Sequence, residues 1–247
     1  MFHSDIKILD GAFVISDAHF CHSRPELLEF MKDIDSKRYS PSQLLLFGDI
    51  FDALFGSISY TIEENKEMIL LLESISKKID VIYLEGNHDF NLKKVFSNMK
   101  IFTISEQPVL CEYKDKKCLI AHGDFAGNLG YKIYTFLIRN RFLLPMLNFI
   151  NNTFSNVILN TLDKHLSKKD DCKEFTGFKK YIAHKLERYD FKCDYFIEGH
   201  LHQNKSLEFD NFTYINLPAF ACNQRYFIVE FSKDKMVLEE NIYSKEK

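Results

Sequence analysis

The sequence predicts an α/β fold whose sheets mix parallel and antiparallel strands, and three observations carry that expectation. Short apolar runs stop at Gly or Asp, as in Ala12–Ser16 (AFVIS), Leu44–Phe47 (LLLF) and Val81–Leu84. Strands buried on both faces read this way. Segments of helical length lie between them, Glu26–Ile34 and Ile62–Ile79, with apolar residues three and four apart, so the early strands are joined by crossovers and run parallel. The second half carries hairpins instead. Val109–Tyr113 and Cys118–Ala121 flank a KDKK turn, Ser206–Phe209 and Phe212–Ile215 flank Asp210-Asn211, and Tyr226–Phe231 and Met236–Glu239 flank Lys233-Asp234. A further strand is expected at Tyr195–Ile197, ahead of Gly199-His200-Leu201-His202.

A chain of 247 residues that is 46% hydrophobic can bury a full core as one domain, residues 1–247, with a sizeable insertion. Asp5, Lys7 and Asp10 interrupt what a secretion signal would need as its apolar core, which gives a cytoplasmic expectation. The six cysteines (Cys21, Cys111, Cys118, Cys172, Cys193 and Cys222) show no CxxC pairing, so ordinary reduced thiols are expected rather than a disulfide frame or a zinc knuckle. The net charge of −3 offers no broad cationic track for a phosphate backbone, and nucleic acid is not an expected partner.

The strand ends carry the chemistry. Asp17 and His19, Asp49, Asn87 and His88, His122, and then His200 and His202 each follow an apolar run. Carboxyl ends of strands in an open α/β sheet converge on one crevice. A lone Asp-x-His is usually an exposed turn, but five such turns made of metal-ligand residue types point to a shared site. Two divalent ions need ligands on both sides, and a carboxylate such as Asp49 is the natural bridge because each oxygen serves one ion. Mixed imidazole and carboxylate ligands suit Mn, Fe, Zn or Co better than Mg, with Mn2+ the leading expectation.

The series Asp17-x-His19, Gly48-Asp49-x-x-Asp52, Gly86-Asn87-His88-Asp89, His122-Gly123-Asp124 and Gly199-His200-x-His202 resembles the calcineurin-like metallophosphoesterase superfamily, whose motif blocks it repeats in order. The resemblance implies a four-layered α/β/β/α sandwich of mixed sheets with a dinuclear site. Asp17, His19, Asp49 and His202 would hold one ion, and Asp49, Asn87, His122 and His200 the other. His88 matches the catalytic histidine, close to the ions without being a ligand, and Asp89 is expected to hold its imidazole in orientation. Gly86 keeps a side chain out of the way.

Residues 127–190 read as a helical cap inserted into this frame. From Gly127 to Leu162 there is no acidic residue, and from Gly127 to Asp190 eleven Lys or Arg face six Asp or Glu. Ile133–Ile150 is apolar over most of its circumference but interrupted by Arg139, Asn140 and Arg141, too polar for a membrane span. A second helix is expected at Glu174–Tyr189. The bland reading is a helical hairpin packed on the core; the functional one is a greasy, basic cap that takes acyl chains and lies on an anionic membrane surface. Within the superfamily the chain is similar to the UDP-2,3-diacylglucosamine pyrophosphohydrolase group of lipid A biosynthesis, through the insertion after His122-Gly123-Asp124, the Gly130-Tyr131 pair, the Asp89-Phe90 pair and the Ile15–Cys21 block. That likeness implies an acylated nucleotide-sugar substrate, cleaved to UMP and the acylated sugar 1-phosphate, and a peripheral place on the cytoplasmic face of the inner membrane. Candidate substrate contacts are Asn87, Tyr131, Arg139, Arg141, Lys169 and Lys173. One departure is His88, where the lipid A group has Arg in Gly-Asn-Arg-Asp. The alternatives are a phosphodiesterase or nucleotidase acting on a soluble ester, and a non-catalytic scaffold like the metallophosphoesterase-fold retromer subunit. Against the scaffold, all seven ligand positions and His88 are filled.

Overall fold

Alternation along the strands sorts their side chains into separate cores, and that sorting defines the layers. The computed structural model describes residues 6–126, 172–187, 189 and 191–244, with Gly130, Thr135, Leu137, Arg139, Asn140, Met146 and Phe149. In chain order the strands are β1 (Ile6–Lys7), β2 (Phe13–Ile15), β3 (Gln43–Leu46), β4 (Leu54–Phe55), β5 (Asp80–Leu84), β6 (Asp89–Phe90), β7 (Lys100–Phe102), β8 (Val109–Tyr113), β9 (Lys116–Ala121), β10 (Tyr195–Glu198), β11 (Lys205–Glu208), β12 (Thr213–Asn216), β13 (Arg225–Ser232) and β14 (Lys235–Ile242). Among the described residues the α-helices are α1 (Glu26–Asp35), α2 (Ser59–Glu64), α3 (Lys66–Ser76), α4 (Phe178–Leu186) and α5 (Phe220–Asn223).

Two six-stranded sheets result, β14-β13-β2-β3-β5-β7 and β1-β8-β9-β10-β12-β11, with β4 and β6 paired separately. In the first sheet, Phe13, Ile15, Leu44, Leu46, Val81 and Tyr83 join the core that contains Leu27, Phe30 and Met31 of α1 and Met68, Leu72 and Ile75 of α3. The alternate residues Val14, Leu45, Ile82 and Leu84 point the other way, into a core shared with Cys118, Ile120, Tyr195 and Ile197 of the second sheet. On that sheet's far face, Leu119, Ala121 and Phe196 meet Phe178, Ile182 and Leu186 of α4. The period of two along each strand thus builds helix, sheet, sheet and helix in four layers.

The crossovers β2-β3-β5 are parallel and the three expected hairpins are antiparallel. The expected helix Ile62–Ile79 is instead two helices broken at Asn65, whose side-chain amide donates to the carbonyls of Ala53 at 3.0 Å and Thr61 at 2.8 Å. Such a side chain competes with the helical ladder. The expected helix Glu174–Tyr189 is confined to α4, because Gly177, at φ 85°, is the cap at its start. Among the cysteines, Cys172 and Cys222 form a disulfide with Cα atoms 5.6 Å apart. This corrects the expectation of reduced thiols throughout: spacing in sequence could not reveal a pair 50 residues apart. Cys21, Cys111, Cys118 and Cys193 are free. The expected helix Ile133–Ile150 lies largely outside the described residues. Among the described residues, no helix is long and apolar enough to cross a membrane.

Candidate metal centre

The turns after β2, β3 and β5, neighbours in the first sheet, carry Asp17 and His19, Asp49, and Asn87 and His88. Those after β9 and β10, neighbours in the second, carry His122, His200 and His202. Both sheets therefore end on one crevice. The turns are tight enough to strain the backbone: Asp17 (φ 51°), His19 (44°), Asp49 (49°), His200 (63°) and His202 (59°) all occupy the left-handed region. Such non-glycine conformations cost about 1–3 kcal/mol each and persist where the surroundings hold them. Close approach makes two glycines necessary. A Cβ on Gly86 would collide with the Asp49 carboxylate, and one on Gly199 with Ser16 and Asp17.

The side chains sort into three groups whose ligand atoms lie within 4.8 Å of one another: Asp17, His19 and His202; Asp49, His122 and His200; and His19, Asp52 and His88. The first brings together three of the four residues expected at one ion, and the second three of the four expected at the other. Asp17 Oδ2 accepts from the Ser16 hydroxyl and from the His200 amide at 3.0 Å. Its Oδ1 lies 3.0 Å from His202 Nε2 without hydrogen-bond alignment. His122 Nδ1 is 2.8 Å from the Phe47 carbonyl, which only accepts, so Nδ1 carries the proton. Its Nε2, 3.5 Å from Asp49 Oδ2, is the nitrogen turned toward the carboxylates and would offer its lone pair to an ion once deprotonated.

Asp17 Oδ1, both nitrogens of His19, Asn87 Oδ1 and His122 Nε2 are buried with no hydrogen-bond partner. Orphaned buried polar atoms cost about 1–3 kcal/mol each, so a convergent set of them needs an occupant. Carboxylate, imidazole and amide oxygen are the donor set of divalent transition ions. The residues fit two such ions.

Without ions the centre balances charge internally. Burial alone would raise the Asp49 carboxyl, but the imidazoles of His122, His88 and His19 outweigh it and hold it well below the usual range. Asp17 is likewise lowered, as His202 and His122 overcome its burial. Burial lowers His122, yet the carboxylates of Asp49 and Asp17 raise it well above an ordinary imidazole. Burial and the neighbouring His122 push His200 down to about 3. A proton held on His122 substitutes for cationic charge between the carboxylates.

His88 stands beside the ligands, its ring centroid 4.8 Å from that of His19. Its Nδ1 is 2.8 Å from the Asp52 carbonyl and 4.0 Å from the Asp52 carboxylate. Asp52 in turn accepts from Arg24 at 2.9 Å and lies 3.5 Å from His19 Nδ1. The expected hold of Asp89 on the His88 ring is therefore corrected. Asp89 is fully buried and accepts from the amides of Asp49, Ile50, Phe51 and Gly86 and from the Tyr83 hydroxyl at 2.6 Å. Its oxygens tie the Asp49 turn to the Gly86 turn. Asp52 is the residue missed in its place; the Gly48-Asp49-x-x-Asp52 spacing was its signal.

Of the candidate substrate contacts, Arg139 donates to the Gly86 carbonyl at 2.6 Å, sits 3.7 Å from Asp124 and lies over the Phe90 ring at 5.1 Å. Its Nε and Nη1 are buried without hydrogen-bond partners. Lys173 is exposed, and its carbonyl accepts from Gln203 at 3.1 Å, next to His202. Tyr131, Arg141 and Lys169 lie outside the described residues, as does most of the 127–190 segment.

The family model of the calcineurin-like phosphoesterases matches residues 12–204. A UDP-2,3-diacylglucosamine hydrolase of Histophilus somni is 29% identical over 136 residues, covering 53% of this chain and 57% of the relative. The enzyme of that name from Blochmanniella pennsylvanica is 24% identical over 197 residues, covering 76% and 78%. The match thus spans little more than half the length of the Histophilus relative. Among solved structures, a dimetal phosphatase from Danio rerio superposes with a TM-score of 0.47 at 12% identity, covering 94% of this chain and 98% of that one.

Proposed function

The chain belongs to the calcineurin-like phosphoesterase family, and from that premise we propose that it hydrolyses a phosphoester or pyrophosphate bond with two divalent ions, Mn2+ first among them. Asp17, His19, Asp49 and His202 would hold one ion and Asp49, Asn87, His122 and His200 the other. The observation that carries this reading is the convergence of buried, unpartnered Asp17 Oδ1, His19 Nδ1 and Nε2, Asn87 Oδ1 and His122 Nε2 on one crevice. When bound, the ions supply Lewis acidity, activating water and drawing charge from the phosphoryl oxygens.

The chain's own residues do the rest. The Asp52 carbonyl fixes the proton on His88 Nδ1, so a proton needed by the departing oxygen comes from Nε2 of the protonated ring, with the Asp52 carboxylate 4.0 Å from Nδ1. Asp89 positions the Asp49 turn and is not a proton carrier in this scheme. Arg139, with two unpartnered nitrogens beside the Asn87 turn, is suited to a phosphate oxygen of the substrate.

The proposed substrate is UDP-2,3-diacylglucosamine, cleaved to UMP and 2,3-diacylglucosamine 1-phosphate at the cytoplasmic face of the inner membrane. The relatives' likeness and the basic, apolar 127–190 segment support it. A soluble phosphodiester is the second reading, favoured by His88 in place of the lipid A group's Arg. Purified Mn-loaded protein assayed on UDP-2,3-diacylglucosamine, bis-p-nitrophenyl phosphate and UDP-glucosamine decides between them. UMP released from the diacylated substrate alone supports the lipid reading. Turnover of the simple diester without preference for the lipid discards it and keeps the metal chemistry.

A further inference from the structure

Behind the crevice lies a buried ion pair that the ligand set does not include. Lys185 of α4 has a side chain 6% exposed, and that of its partner Glu198 is fully buried. The ammonium donates to both Glu198 oxygens, at 2.6 and 2.9 Å, and to the Gly123 carbonyl at 2.9 Å. The Tyr214 hydroxyl donates to Glu198 as well, at 2.6 Å. Gly123 directly follows His122, and Glu198 precedes Gly199-His200. The two turns touch at their backbones, Gly199 N donating to His122 O at 2.9 Å, and Asn216 secures the Gly199 carbonyl at 2.6 Å.

We propose that Lys185 is a positioning residue for the second ion: it fastens the His122-Gly123 turn to the Glu198–His200 turn, so the Asn87, His122 and His200 side is complete only when α4 is docked. The inference rests on the dinuclear reading above. The geometry favours this over a purely stabilising role. A buried pair can often be replaced by apolar residues of similar volume without loss of stability, whereas no apolar side chain can donate to the Gly123 carbonyl. Residues 127–190 run between His122 and His200 in sequence, and α4 is the helix by which the chain returns from that insertion. One ammonium therefore joins the turn just before the insertion's departure point to the strand end that follows its return.

The test is Mn2+ binding to metal-depleted protein, counting ions per chain against free concentration, in the unmodified chain, Lys185→Met, Lys185→Arg and the double variant Lys185→Met/Glu198→Met. The unmodified chain is expected to bind two ions. Lys185→Met and the double variant should keep one affinity and weaken the other by about 10- to 100-fold, the usual loss when a group behind a ligand is removed. Lys185→Arg should recover part of it. The double variant leaves no uncompensated charge and decides the matter where Lys185→Met does not fold. Two unchanged affinities in a folded variant overturn the proposal, and so does failure of both Met variants to fold, because the pair then serves the fold and not the site. An unmodified chain that binds fewer than two ions overturns this inference together with the dinuclear reading, and that outcome is read before any variant.

Discussion

Gly86→Ala separates steric demand at the site from general loss of stability. A Cβ there meets the Asp49 carboxylate oxygen inside contact distance, with Asp49 N at 2.6 Å and Asp49 Cγ at 2.9 Å. All three atoms belong to the one residue proposed to serve both ions, and its turn is already pinned by Asp89 through the amides of Asp49, Ile50 and Phe51. Swinging the carboxylate aside does not relieve the contact with Asp49 N, so the pinned turn that carries the carboxylate must itself shift. Overpacking of this kind costs about 1–3 kcal/mol, and ligand distances tolerate only about 0.2 Å of displacement. The expected result is a metal-depleted protein destabilised by that amount in urea and weakened at least about tenfold for both Mn2+ ions together. Gly177→Ala is the control. Nothing lies within 4 Å of its Cβ, but its φ of +85° strains any other residue, costing about 1–2 kcal/mol with no effect on ion binding. If Gly86→Ala binds two ions with unmodified affinity, or if Gly177→Ala loses them equally, the placement of Asp49 as the shared ligand is refuted.

Three further outcomes follow from the same geometry. His88→Ala should leave Mn content intact while turnover falls by about 10²- to 10⁴-fold, the range for a lost general acid, whereas Asp49→Ala should lose both ions; equal metal loss in the two variants would erase the distinction. Asp52→Asn keeps the carbonyl on His88 but removes a charge 4.0 Å away. With the Arg24 ion pair to Asp52 lost at the same time, turnover should fall about 10- to 100-fold at unchanged KM, and an unaltered rate would exclude Asp52 from the reaction. Burial, with the Asp49 charge second, raises the Asp89 carboxyl to about 7 despite its donors. A raised acid contributes stability that is complete below its unfolded value, near 3.8, and is lost as pH climbs through about 7. Asp89→Asn should flatten that part of the metal-free protein's stability profile, and an unchanged slope between those limits would show that Asp89 does not titrate there.

The layers and the convergence of the Asp- and His-bearing turns were legible because they rest on patterns the chain repeats. Apolar runs ending in Asp or Gly located β2, β3 and β5, and polar turns located the three hairpins. What stayed hidden was set by tertiary contacts. The periodicity of residues 62–79 continues through Asn65, where the side-chain bonds to Ala53 and Thr61 accompany the break in the helix. β4 and β6 are two residues each, too short to leave a pattern. Asp89 was misassigned because it adjoins His88 in sequence, while in space its carboxylate faces Tyr83 and the Asp49 turn. The partners Lys185 and Glu198 are ordinary residues on a helix and a strand, and nothing in the sequence marks them as a buried pair.

The placement of strain explains why a site drawn from five separate turns can be specific. Asp17, His19, Asp49, His200 and His202 all carry positive φ, conformations that unaided would relax. Asp17, His19 and Asp49 are held by neighbours across the crevice rather than along their own strands. Asp17 is fixed by the His200 amide, and the His19 amide donates to the Asp49 carbonyl at 2.9 Å. The Asp49 carboxylate accepts from the His88 amide at 2.8 Å. The strained turns thus support one another in a closed set, and loosening one exposes the next. A pair of ions that binds only the folded arrangement stabilises that whole set through mass action. Metal affinity and the stability of these turns are therefore linked, which is why the Gly86 and Lys185 variants are read by ion counting before any rate is taken.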